Sequence, residues 1–330
     1  MEDVDLFWIA GTLHGRMPLL SDPARAAVDL ALVDMAWKAF IRDAGPADTG
    51  PLFSGWQHSD HVLLTEDPRA GAMLSWLASR GGPLHTAASR LELARGGKTI
   101  SFSAEEHEML VDAAEALELA GVKLIAAPPV DNLTSAITEL RADSRFASAP
   151  PGQSSEAGGT WAINLALSTL PTQAPQPGIV QRKALRMDED RFRTCIREGW
   201  TDAVRATYDR VRTVADRLRS TEPILQNLSR NSRARDVSDA LAALEMLKRG
   251  HISRGWALSN AGTTFVVRQL KNLGVGQMKE RGRIDWSVTR STSRRHRYKK
   301  LPSDDAIVEL DDAVAFADRL LSKHRASPQT

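Results

Sequence analysis

The segment ISRGWALSNAGTTFVVRQLKNLGV, residues 252–275, decides how the rest of the chain is interpreted. Apolar residues recur in its second half at the three- and four-residue spacing of a helix with one buried face: Val266, Val267, Leu270 and Leu273. The side chains between them are polar. We therefore predict a helix over residues 264–273, capped by Thr263 and ended by Gly274.

Two further helices are predicted just before this one. Asp236 is placed as the cap of a helix over residues 237–249, and a short helix follows over 253–258. Residues 259–262, Ser-Asn-Ala-Gly, are expected to form a turn, because Asn and Gly tolerate a left-handed backbone. A short helix, a turn and a longer helix are typical of a helix-turn-helix, whose second helix enters the DNA major groove.

A basic β-hairpin, or wing, is predicted after the third helix. Residues 275–280 form its first strand, and Arg281-Gly282-Arg283 forms a turn between basic arms. Apolar and polar residues then alternate over 284–288 as in a half-buried strand. Residues 289–297 are expected to be a polar, very basic tip, and residues 298–301 are candidates to return to the sheet.

Positive charge is concentrated in the same part of the chain. Residues 230–300 hold 17 Lys and Arg against 5 Asp and Glu, although the whole chain carries a formal net charge of only +2. A folded segment this basic in an otherwise acidic chain indicates a polyanionic partner. DNA, RNA and an acidic protein all fit, as does a hairpin whose charges are merely solvated. The absence of the Gly-rich or strand-aromatic patterns of RNA-binding modules favours double-stranded DNA.

Three groups of residues carry a resemblance to a known family: Ile252-Ser253; Val267-Arg268-Gln269-Leu270 with Leu273-Gly274-Val275; and Arg281-Gly282-Arg283 with Trp286. With them, residues 236–298 resemble the winged helix-turn-helix of bacterial DNA-binding proteins and the C-terminal module of uncharacterised alphaproteobacterial helix-turn-helix proteins. The resemblance covers about a fifth of the chain. Gly255 departs from it, because a helix-forming residue is usual inside the second helix.

The predicted DNA contacts follow from these elements. Arg268 and Gln269 suit guanine and adenine edges, because both side chains make bidentate hydrogen bonds to bases. Thr263 and Thr264, at the helix N-terminus, are placed on phosphate, and Lys271 is a further candidate on this helix. The basic side chains of the wing are expected on the DNA backbone or in the minor groove: Arg281, Arg283, Arg290, Arg294, Arg295, Arg297, Lys299 and Lys300.

The remaining chain is also predicted to be helical, so we expect a mainly α protein with a small β-hairpin wing. Five parts are predicted: a helical domain over residues 1–147, a Pro/Gly-rich linker region over 148–187, a long connecting helix over 188–229, the DNA-binding domain over 230–304, and a C-terminal helix and tail over 305–330. Within them, helices are expected at residues 22–44, 68–80, 84–94, 104–120, 132–141 and 188–220.

No catalytic, cofactor or metal site is predicted. Residues 95–99, Arg-Gly-Gly-Lys-Thr, are similar to the end of a phosphate-binding loop, but Glu92 stands where that loop needs a glycine. One short loop offers three potential metal ligands, which is weak evidence because a metal site needs a defined ligand set at fixed geometry: His58, Asp60 and His61. The chain is therefore more naturally a binding protein than an enzyme.

The amino-acid composition limits the cellular compartment and the kinds of partner that we expect. A single cysteine, Cys195, excludes an internal disulfide and is expected to be a buried helical thiol. An acidic N-terminus and the absence of a long apolar run predict a cytoplasmic protein with no membrane partner. We expect a homodimer, with protein contacts through residues 1–229.

Three functions remain open on these observations. The first is a sequence-specific bacterial transcriptional regulator. The second is an accessory or catalytic factor of a plasmid, phage or other mobile element, acting in replication, partition or recombination. The third is a structural subunit whose basic wing docks an acidic protein.

Overall fold

The computed structural model describes residues 22–44, 63–64, 68–82, 84–97, 101–123, 129–147, 159–169, 179–180, 184–226, 228–229, 232–279 and 282–288. These parts of the chain are mainly helical, with one small three-stranded antiparallel sheet. The prediction of a mainly α protein with a little β-structure is therefore confirmed at this level.

The first part of the described chain contains only helices as regular secondary-structure elements. It comprises α1 (Asp22–Ala44), α2 (Pro68–Ser79), α3 (His85–Arg95), α4 (Ala104–Lys123), α5 (Pro129–Ala142), α6 (Ser144–Ala147), α7 (Thr160–Leu167), a 3-10 turn (Ala184–Arg186) and the long helix α8 (Glu189–Leu225). We call these the N-terminal helices. The bounds of α1 to α5 lie within three residues of the predicted ones, and α8 runs five residues further than expected. No helix was predicted at α6 or α7.

A second group of elements follows α8, and we call residues 232–288 the C-terminal unit. It comprises α9 (Arg233–Leu244), β1 (Met246–Lys248), α10 (Arg249–Gly255), α11 (Asn260–Leu273), β2 (Val275–Met278) and β3 (Arg283–Val288). The strand order is β1-β3-β2, with β3 antiparallel to both neighbours.

Local capping explains why several helices start where they do. Ser103 and Glu106 form a reciprocal capping box at α4: the Glu106 amide donates to Ser103 Oγ over 3.2 Å, and the Ser103 amide donates to Glu106 Oε2 over 2.8 Å. At α8, Asp188 Oδ1 accepts from the Arg191 amide over 3.0 Å. Both starts carry the acidic side chains that the helix dipole favours.

One hydrophobic core joins the N-terminal helices to the C-terminal unit. The buried side chains of α1 pack against α9, and α3 packs against α10. Trp37 of α1, Trp161 of α7 and Trp200 of α8 are almost completely buried. The C-terminal unit is thus held against the N-terminal helices along two of its own helices.

The segment expected to be a linker includes a core helix. Every residue of α7 is buried, so residues 160–167 belong to the core although they lie inside the predicted linker region 148–187. Its apolar sequence, Thr-Trp-Ala-Ile-Asn-Leu-Ala-Leu, outweighs the Pro- and Gly-rich composition on both sides. Asn164 is satisfied there by Asp43, to which it donates over 2.6 Å, and by the backbone of Val180.

Two predicted boundaries in the C-terminal unit are wrong. The helix expected over 237–249 ends at Leu244, because Glu245 adopts a left-handed backbone with φ of 68°, and residues 246–248 form β1 instead. The short helix expected over 253–258 occupies residues 249–255. Lys248 and Arg249 therefore lie at a strand end and a helix start rather than in the last turn of a helix.

The third helix also begins earlier than predicted. Ser259 rather than Thr263 caps α11, and its Oγ accepts from the Gly262 amide over 3.1 Å. Residues 260–262, expected to be part of a turn, form the first turn of the helix. The predicted end at Gly274 is confirmed, with this residue in the left-handed region at φ of 77°.

Candidate nucleic-acid interface

Helix α11 has one buried side and one exposed side. Thr263, Val266, Val267 and Leu270 form the buried side, which packs on α9, α10 and β2. The opposite side is directed away from the other described elements and exposes Ala261, Phe265, Arg268, Lys271 and Asn272. Arg268 and Lys271, both predicted to contact DNA, thus lie on the exposed side, and Gln269 is half-buried at its margin.

The two threonines predicted to contact phosphate have different environments. Thr263 is only 2% exposed, and its hydroxyl has no hydrogen-bond partner among the described residues. The predicted phosphate contact is therefore wrong for this side chain: because α11 begins at Asn260, position 263 falls on the buried side of the helix. Thr264 is half-buried, and its Oγ1 donates to the Asn260 carbonyl over 2.8 Å.

Arg249 connects α11 to the turn between β2 and β3. Its Nη2 donates to Thr264 Oγ1 over 2.5 Å, and its aliphatic stem lies beside Gly282. A Cβ atom at Gly282 would be 3.4 Å from Arg249 Cδ, and the backbone there is left-handed at φ of 71°. The exposed side of α11 and the hairpin turn therefore border one continuous surface, with a guanidinium between them.

Two more cations lie on the sheet next to this arginine. Lys248 of β1 and Arg283 of β3 are opposite each other in the antiparallel register, so their exposed side chains share one sheet face. The neighbouring pair, Leu247 and Ile284, is buried on the other face. Arg283 also forms an ion pair with Asp285, with Nε 2.5 Å from Oδ1.

We call the exposed cations of this surface the basic face; they are Lys248, Arg249, Arg268, Lys271, Lys279 and Arg283. Lys279 joins it at the end of the hairpin, where its amide donates to the Arg283 carbonyl over 2.7 Å. Lys248 and Arg249 were not predicted as site residues, because both were expected inside a helix. The remaining predicted contacts lie outside the described residues: Arg281, Arg290, Arg294, Arg295, Arg297, Lys299 and Lys300.

The side of α10 away from the basic face docks on the end of α3. Arg254 Nε donates to the Ala94 carbonyl over 3.0 Å, and Nη2 donates to the Arg95 carbonyl over 2.8 Å. Carbonyls at a helix C-terminus lack intrahelical partners, so this arginine satisfies two of them. A Cβ atom at Gly255 would be 2.8 Å from Ala94 Cβ. This glycine, unusual inside a helix, thus permits close contact between α10 and α3.

A second arginine pair joins α8 to the C-terminal end of α9. Arg210 donates to the Ala243 carbonyl over 2.5 Å, and Arg217 donates to the Ala242 carbonyl over 2.8 Å. Both guanidinium groups also contact Glu245 Oε1, at 2.8 and 3.0 Å respectively. Partial burial raises the pKa of Glu245, but the hydrogen bonds from Arg210 and Arg217 outweigh that effect and hold its pKa below the ordinary value.

The ring of Trp286 extends this contact into the sheet. The Arg217 guanidinium carbon lies 4.9 Å from the centroid of the Trp286 ring, and the Trp286 amide donates to the Glu245 carbonyl over 2.7 Å. The left-handed residue that ends α9 is therefore fixed from both directions, by arginines of α8 and by the backbone of β3.

His251 in α10 is buried and uncharged at neutral pH. Burial lowers its pKa to about 4, with smaller contributions from the positive charges of Lys248 and Arg254. Its Nδ1 accepts a hydrogen bond from the Lys248 amide over 3.2 Å. This histidine holds the start of α10 next to β1 and adds no charge to the basic face.

The other residues considered as catalytic or metal-binding candidates form no site among the described residues. Cys195 is buried, as predicted. Within the described ranges, no three His, Cys, Asp or Glu side chains are grouped so as to hold a metal ion. His58, Asp60, His61 and residues 98–99 lie outside those ranges. Among the described helices, each is too short or too polar to cross a membrane.

Comparison with other proteins adds no relative: no family profile matches the chain, and neither the curated proteins nor the solved structures gave a similar protein.

Proposed function

We propose that the chain binds double-stranded DNA as a sequence-specific transcriptional regulator, with the C-terminal unit as its winged helix-turn-helix. In this proposal α11 is the recognition helix, α10 is the helix before it, and the β2–β3 hairpin is the wing. The order helix, strand, two helices and a two-stranded hairpin supports the proposal. So do the contacts of Arg249 with Thr264 and beside Gly282, because they bring the hairpin turn to the border of the exposed side of α11.

The observation that carries the proposal is the continuity of the basic face. Arg249 contacts Thr264 on α11 and lies beside Gly282 in the hairpin turn, so cations of the helix and of the hairpin border one surface. The buried arginine of the described unit, Arg235, lies elsewhere and donates to the Glu222 carboxylate and the Leu225 carbonyl. Positive charge on the basic face is therefore available to a polyanion.

We assign different DNA contacts to the two parts of the basic face, the part on α11 and the part beside the hairpin. Arg268 lies on the outward side of α11, where a guanidinium reaches base edges in the major groove. Lys248, Arg249 and Arg283 lie at the border with the hairpin, and we assign them to phosphates, which fix the orientation of the protein on the duplex. Each phosphate contact is expected to add about 0.9 to the slope of log affinity against log salt concentration.

The C-terminal unit is docked on the N-terminal helices. This supports a regulator rather than a DNA-binding module that is joined to the rest of the chain only by a linker. The contacts of Arg254, Arg210 and Arg217 make the position of α10 and α9 dependent on α3 and α8. A change in the N-terminal helices would therefore be transmitted to the basic face. We further propose that the protein acts as a homodimer and that residues 1–229 provide its protein contacts.

The test is to purify the full chain from cells with its bound DNA cross-linked, and to sequence the recovered DNA. A discrete motif near promoters is the expected result. Enrichment at replication origins or attachment sites would replace the regulator by a mobile-element factor. Recovery of no DNA, together with co-purification of an acidic protein, would overturn the proposal in favour of a docking subunit.

A further inference from the structure

An aromatic ring is exposed at the centre of the outward side of α11. Phe265 is 65% exposed, and it is the only aromatic residue among the large hydrophobic side chains that the described parts of the chain leave open to solvent. It lies three residues before Arg268 and four after Ala261, so all three belong to one strip of the helix. Asn272, seven residues after Phe265, continues that strip.

The helix pattern shows that this exposure is not a fraying effect. Phe265 lies between Thr263 and Val266–Val267, which are buried, and α11 is capped at both ends by Ser259 and Gly274. The ring therefore belongs to a well-formed helix and projects away from its core. Exposing a phenylalanine to water forgoes about 1.5–3 kcal/mol of burial, which a ligand at this position would recover.

We infer that Phe265 reads thymine, through contact of its ring with the C5-methyl group in the major groove. The inference rests on the proposed function and names a specificity determinant within it. The charges beside the ring identify the ligand: Arg268 on the same strip and Arg249 at its border are suited to an anionic duplex, not to an apolar protein groove. Among the four bases, thymine alone presents a methyl group in the major groove.

Neighbouring side chains extend this assignment to a short base sequence. Arg268 suits guanine, whose O6 and N7 accept its two hydrogen bonds, and Asn272 suits adenine. Because Phe265 and Arg268 are three residues apart on one helix face, their ligands are adjacent or nearly adjacent base pairs. The expected site thus contains thymine within one or two positions of guanine on the strands facing α11.

The test starts from a duplex selected by the full chain out of a random 20-base-pair library. Each thymine in it is replaced in turn by deoxyuridine, which removes only the methyl group. We expect one position to lose roughly four-fold in affinity, the factor that corresponds to about 0.8 kcal/mol for one methyl group. Phe265→Ala should bind the thymine duplex more weakly and show no loss on replacement at that position.

Several results would overturn the inference without affecting DNA binding. Equal affinity for every uracil duplex would do so, as would an unchanged loss in Phe265→Ala. Selection that returns no preferred sequence, with salt-dependent binding retained, would exclude base reading but leave the DNA interface. Unchanged DNA binding by Phe265→Ala with altered self-association would assign the ring to a protein contact. Because the side chain is exposed, its removal is not expected to unfold the chain, which circular dichroism checks.

Discussion

Arg254 of the C-terminal unit donates to the backbone carbonyl of Ala94, 160 residues earlier in the chain, over 3.0 Å. The same guanidinium reaches the Arg95 carbonyl, so a side chain of α10 completes the end of α3. This relationship ties the helix that precedes the proposed recognition helix to the N-terminal helices. It makes the stability of the basic face dependent on a contact outside the C-terminal unit.

Arg254→Ala is expected to destabilise the chain, because two helix-end carbonyls lose their partner in a partly buried contact. Hydrogen bonds from a charged donor contribute about 1.5–3 kcal/mol, so we expect the free energy of unfolding to fall by about that amount. Urea denaturation followed by circular dichroism measures it. Arg191→Ala is the matched control, because that side chain is 81% exposed on α8 and its change should have little effect. Equal losses in both variants would contradict the assigned role of Arg254.

Gly255→Leu is expected to separate α10 from α3. A Cβ atom at position 255 would approach Ala94 Cβ to 2.8 Å, so the larger side chain forces the two helices apart at a cost of about 1–3 kcal/mol. Gly262→Ala serves as the control within the same unit, because a Cβ atom there meets Ser259 Oγ at an ordinary 3.4 Å. That variant should be neutral or up to about 1 kcal/mol more stable. Thermal unfolding of both variants distinguishes close docking of α10 on α3 from a general intolerance of side chains at the helical glycines of the C-terminal unit.

His251 is expected to make stability fall in mild acid. Its pKa is about 4 in the folded chain, below the ordinary 6.5, so the unfolded chain binds the extra proton between these two values. Stability from this residue is therefore fully present above pH 6.5 and is lost as the pH falls toward 4, by about 3 kcal/mol at most. His251→Asn keeps an acceptor for the Lys248 amide but does not titrate, so its stability should depend less on pH.

Comparing wild type with His251→Asn isolates the contribution of His251 to the pH dependence of stability. Burial raises the pKa of Asp29 to about 6, which acts with the opposite sign, but Asp29 is present in both proteins and cancels in the difference. Chemical denaturation at pH 5 and pH 8 gives the change in the free energy of unfolding with pH for each protein. Parallel pH profiles for wild type and His251→Asn would show that burial of His251 does not control acid stability.

Sequence periodicity predicted most helices because their signals are local. The capping box of Ser103 and Glu106, the cap at Asp188 and the glycine at 274 all lie within a few residues of the helix ends that they define. The buried side of α11 followed from the spacing of its apolar residues. Because these signals lie close to the helix ends, the sequence was sufficient to predict where these helices begin or end.

The boundary of α9 depends on residues far away in the chain. Glu245 is neither glycine nor asparagine, yet it takes the left-handed conformation that ends the helix. Its carboxylate is held by Arg210 and Arg217, which precede it by 35 and 28 residues. No local pattern records such partners, and this is why Lys248 and Arg249 were placed in a helix. The other error arose because Ser259 and Thr263, four residues apart, are both residue types that suit a helix N-cap.

The most direct test of the account is the salt dependence of DNA binding after charge removal from the basic face. Fluorescence anisotropy with a 20-base-pair duplex would compare wild type, Arg249→Ala/Arg268→Ala and the control Arg191→Ala/Arg193→Ala, which removes two exposed charges from α8. For the first variant we predict weaker binding. Its slope of log affinity against log salt concentration should be reduced by about 0.9 for each lost side chain that contacts phosphate, as we propose for Arg249. The control should match wild type. Equal slopes for wild type and the basic-face variant, or equal reductions in both variants, would contradict the account.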